Sequence, residues 1–76
     1  MRNPPSVVAS RFASKVREMR KERKLSQESF AALVGIDRTY QSQIERGIAN
    51  PSLEVLCAIA NHLDAELATL LSNDRD

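Results

Sequence analysis

Between Ala31 and Tyr40 the chain reads AALVGIDRTY, with Gly35 standing two residues before Asp37. Glycine is the residue that most readily ends a helix in the left-handed conformation, and aspartate is a strong N-cap. Two helices must therefore meet across a gap of about three residues and turn sharply. That junction commits the chain to short helices packed at an angle.

The flanking segments carry the same kind of signal. Pro4 and Pro5 stop any earlier helix, so residues 1–5 read as a flexible arm and Ser6 as the N-cap of a first helix ending near Lys24. Val8, Phe12, Val16 and Met19 form its apolar stripe, with Arg11, Lys15, Arg17, Lys21 and Glu22 opposite. Ser26 caps a second helix, QESFAALV, with Glu28 in its first turn and Phe30, Leu33 and Val34 facing inward. The third runs from Arg38 to about Arg46 and stops at Gly47. Pro51 and Ser52 open a fourth, lined by Leu53, Leu56, Ile59, Ala60 and Leu63; a short fifth, built on Leu67, Leu70 and Leu71, precedes a charged tail at residues 72–76. With no strand signal or repeat, the expected fold is all-α, a compact five-helix domain over residues 6–71.

At 76 residues there is room for one small core. The single cysteine, Cys57, excludes an internal disulfide, and with His62 as the only histidine there is no clustered ligand set for zinc. Cys57 and His62, five apart, do not share a helical face, so Cys57 is expected at the edge of the core and no catalytic pair is formed. Glycine-rich phosphate loops and paired catalytic carboxylates are missing, so no enzyme, cofactor or small-molecule ligand is expected. No apolar run resembles a signal peptide or membrane span, which points to the cytoplasm.

The net charge of +1 conceals an asymmetry: residues 1–50 carry +5 and residues 51–76 carry −4. A basic surface attracts polyanions; the alternative is a merely solvated basic helix.

The third helix is the unusual one. Between Gly35 and Gly47 the large apolar side chains are Ile36, Tyr40 and Ile44, while on the helix Arg38, Thr39, Ser42 and Arg46 gather opposite Ile44, with Gln43 at the margin. Guanidinium, hydroxyl and amide groups are those that read base edges in the major groove: arginine on guanine, glutamine on adenine, serine or threonine on either. A plain exposed helix remains the alternative.

Taken together, LSQESFAALVGIDRTYQSQIERGIANPSLEVL resembles the Xre and lambda-repressor-like helix-turn-helix family, over about Phe12 to Leu71. DRTY followed by IERG is especially similar to the controller proteins of restriction-modification systems, which are small dimeric regulators.

The resemblance implies a sequence-specific transcriptional regulator binding double-stranded DNA at a near-palindromic operator as a homodimer, with the third helix in the major groove. It makes Arg38, Thr39, Ser42 and Gln43 base-reading candidates and Gln27, Tyr40, Arg46 and Asn50 contacts to the DNA backbone. Arg20 and Glu45 match a partly buried salt bridge of the family. Leu67, Leu70 and Leu71, with the fourth helix, either form the dimer surface or only close the core. Two positions depart from the pattern. Gln41 stands where a branched apolar residue is usual, so its amide must be partly exposed, find a partner or join the reading surface. Lys24 stands where glycine commonly ends the first helix. The rival function is an antitoxin or helical adaptor acting through a protein partner such as a toxin; the basic first helix and the polar third favour DNA.

Overall fold

The computed structural model describes residues 7–72. Five helices occur among them: α1 Val7–Glu22, α2 Gln27–Val34, α3 Arg38–Glu45, α4 Leu53–His62 and α5 Leu67–Leu71. The arm expected at residues 1–5, the Ser6 cap and residues 73–76 of the tail lie outside the described residues. α1 packs on α3 and α5, α2 packs on α3 and α4, and α4 packs on α5. Phe12, Val16, Phe30, Ile44, Ile59, Leu63 and Leu70 make the buried centre. All five helices contribute to it, which fixes the short helices that could not persist alone.

The caps set the register. Ser26 accepts a hydrogen bond from Ser29 N at 3.0 Å and Ser52 one from Val55 N at 3.3 Å. α1 ends two residues earlier than its periodicity suggests. Leu25 N donates to Arg20 O and Lys24 N to Lys21 O, a helix-ending turn that requires a left-handed residue, and Lys24 supplies it at φ 59°. Asp64 does the same after α4 at φ 54°, with Ala65 N donating to Ala60 O. Neither residue is a glycine, so each turn holds some backbone strain.

Several positions expected inside are exposed. Val8 lies in the first turn of α1, Leu33 on α2 and Leu53 at the first position of α4, the last 67% exposed. Periodicity identifies an apolar face, but a face is buried only where another element covers it. Cys57 is likewise exposed rather than at the core edge, because the inner stripe of α4 runs through Leu56, Ile59, Ala60 and Leu63. Leu70 has no accessible surface and belongs to the core. Of the three α5 leucines, only Leu67 and Leu71 retain area for a second copy.

Candidate nucleic-acid interface

The junction between α2 and α3 is built from its backbone. Gly35 adopts φ 90°, and both Gly35 N and Ile36 N donate to Ala31 O, at 2.8 and 2.9 Å. A Cβ at Gly35 would meet nothing within 4 Å, so the glycine is needed for its dihedral angle rather than for space. Asp37 then accepts from Thr39 N at 2.8 Å, and its carboxylate faces the positive end of α3. This turn leaves the first residues of α3, Arg38 and Thr39, standing out in solvent.

The buried stripe of α3 is Gln41, Ile44 and Glu45. Its centre lies roughly 50° round from Ile44 at about 100° per residue, because two polar residues share the burial. The outward face is therefore centred on Thr39, Gln43 and Arg46, and Gln43 is no longer marginal. Ser42 and Gln43 are half-buried, Arg46 is exposed, and Tyr40 packs partly against the core. Asn50 is exposed in the segment after α3, where Ile48 N and Ala49 N both donate to Gln43 O. Arg38, Thr39, Ser42, Gln43, Arg46 and Asn50 thus follow one another along α3 and the segment beyond it.

Behind this face is a buried polar cluster. Arg20 Nε donates to Glu45 Oε2 at 2.7 Å and Arg20 Nη2 to Glu45 Oε1 at 2.9 Å, with the two side chains 8% and 1% exposed. Gln27 Nε2, from the first residue of α2, donates to Oε1 at 3.1 Å, and Gln41 Nε2 donates to Oε2 at 2.7 Å. Of the three fates open to Gln41, the structure selects burial with a partner: the residue has no accessible surface. Burial pushes the Glu45 carboxyl up, but the hydrogen bonds from Arg20, Gln41 and Gln27 and the Arg20 charge outweigh it. The carboxyl is held below its ordinary value.

The basic side chains of α1 and of the turn that follows it do something the charge pattern alone did not disclose. Arg17 Nη1 donates to Glu45 O at 2.7 Å, Arg23 Nη2 to Leu63 O at 2.6 Å, and Lys15 Nζ to Thr69 O at 2.7 Å and Ser72 O at 2.8 Å. These carbonyls lie at the C-terminal ends of α3, α4 and α5, where unpaired acceptors and the helix dipole favour cations. Arg20 Nη1 also holds Leu25 O at 2.7 Å. Much of the positive charge of α1 thus fastens the other helices. Spacing along α1 carries no signal for this, since the acceptors are remote in sequence.

Among the described residues no three His, Cys, Asp or Glu residues gather as a metal site would require, and no helix is long and apolar enough to cross a membrane.

A helix-turn-helix family model matches residues 16–70. The control protein C.MunI of Mycoplasma sp is 48% identical over 64 residues, spanning 83% of this chain and 86% of that protein. The restriction-modification controller protein C.AhdI from Aeromonas hydrophila has a solved structure that matches at TM-score 0.78 and 38% identity, covering 86% of this chain and 98% of that one. The biofilm regulator SinR, solved in complex with DNA, matches at TM-score 0.74 and 32% identity, covering 80% of this chain and 98% of that one. With the sharp α2–α3 junction and the polar face of α3 beside these matches, the chain belongs to the Xre and lambda-repressor-like helix-turn-helix family of DNA-binding transcriptional regulators and resembles the restriction-modification controller proteins.

Proposed function

We propose that the chain is a sequence-specific regulator of the controller type that binds a near-palindromic operator as a two-fold homodimer, each copy laying α3 in a major groove. The observation that carries this reading is the outward face of α3, polar along its length and raised into solvent by the Gly35–Asp37 turn. In this reading Arg38, Thr39, Ser42 and Gln43 meet base edges, and Gln27, Tyr40, Arg46 and Asn50 meet the phosphate backbone. Base contacts then set sequence while phosphate contacts set register. The partly exposed Leu67 and Leu71 of α5 supply apolar area to the second copy.

Methylation interference on a bound duplex tests it. Methylating guanine N7 in the major groove should block binding at two patches centred about 34 to 36 Å apart on one side of the helix. Interference confined to minor-groove positions, or to a single patch, would overturn the reading.

A further inference from the structure

Gln41 places a polar amide at a fully buried position of α3, and its Oε1 has no hydrogen-bond partner. A buried acceptor left unpaired is destabilising, and an apolar side chain of the same length would not have that drawback. Reversing the amide would set two acceptors 2.7 Å apart at Glu45 Oε2, so the donor side faces the carboxylate. The unpaired acceptor is thus the counterpart of a donor committed to Glu45.

The Glu45 carboxylate accepts from three helices: Arg20 of α1 grips both oxygens, Gln41 of α3 holds Oε2, and Gln27 of α2 sits on Oε1. Arg20 sets the plane of the carboxylate through both oxygens, and Gln41, by taking the second acceptor position of Oε2, leaves Oε1 as the oxygen open to Gln27. A terminal amide has two N–H groups, and Gln27 uses one on Glu45. Its second N–H is oriented by the first.

We propose that Gln41 is a positioning residue which acts through Glu45 to orient the half-buried amide of Gln27 toward the DNA backbone, before any DNA is present. This rests on the functional reading above, which makes Gln27 a phosphate contact. Preorganising a donor removes the ordering penalty at the moment of binding, so Gln41 raises DNA affinity while touching no DNA.

The test is Gln41→Met, with Gln41→Ile as a second apolar variant, each alone and with Gln27→Ala. The single variants should remain cooperatively folded yet bind the operator roughly three- to tenfold more weakly, the scale of coupling within one hydrogen-bond network. In the Gln27→Ala background they should produce no further loss. In the free protein, the side-chain amide resonances of Gln27 should shift in either variant. Unchanged Gln27 resonances, or losses that simply add, would overturn the proposal. A wild-type chain that binds no duplex would instead remove the functional reading, and with it the DNA half of this proposal, while the Gln27 resonances would still decide the positioning half.

Discussion

Arg20 of α1 and Glu45 at the end of α3 form a two-pronged ion pair, Nε to Oε2 at 2.7 Å and Nη2 to Oε1 at 2.9 Å, almost wholly out of solvent. The pair joins α1 to the helix that presents the polar face. Removing Arg20 alone strands the carboxylate, and removing Glu45 alone strands the guanidinium. Arg20→Met or Glu45→Leu should each reduce the unfolding free energy by about 3 to 5 kcal/mol, measured by urea titration. The double variant should recover a large part of that loss, because neither charge is then left unpaired; a double loss equal to the sum would contradict this account.

The same pair sets an acid limit. Because the folded-state pKa of Glu45 lies below the ordinary value of 4.5, its contribution is complete above that value and is lost as pH falls through the folded one. Thermal melts from neutral pH down to about pH 3 should show a steepening loss of stability below pH ~4.5. In Glu45→Gln this part of the slope should be absent, although the baseline is lower.

Lys24 should be improvable. Its φ of 59° is one that L side chains adopt at an energetic penalty and glycine does not. Lys24→Gly should stabilise the fold by up to about 1 kcal/mol, a rise in Tm of up to about 4 to 8 °C for a domain this size. Gly35→Ala, at φ 90°, should do the opposite and lower Tm by at least as much.

On DNA, Arg38 and Arg46 should differ in kind. Arg38→Ala should lower operator affinity by about 1 to 3 kcal/mol and relax the preference at one base pair. Arg46→Ala should weaken operator and random duplex alike and reduce the salt slope by about 0.9. Binding isotherms on both duplexes at several salt concentrations separate these outcomes.

What could be read from the chain beforehand follows physical range. The α2–α3 junction was legible because Gly35, Asp37 and Ser26 act on backbone groups within a few residues, and the core stripe of α1 through Phe12 and Val16 was legible from spacing alone. Exposure at Val8, Leu33 and Leu53 was not, since cover for a helix face comes from elements distant in sequence. The family pattern paired Arg20 with Glu45, but nothing local told that Gln27 and Gln41 would join them. Nor did the pattern disclose that Lys15, Arg17 and Arg23 would spend their charge on the ends of α5, α3 and α4. A basic helix looks the same in sequence whether its partners are phosphates or carbonyls.

The most direct measurement is selection of bound duplexes from a random DNA pool, followed by the stoichiometry of the selected complex at two salt concentrations. Recovery of one near-palindromic site, occupied by two copies of the chain and outcompeting random duplex at the higher salt, is the predicted result. No enriched site, with only weak binding that salt abolishes, would contradict a sequence-reading role for α3 and turn attention to a protein partner for that face.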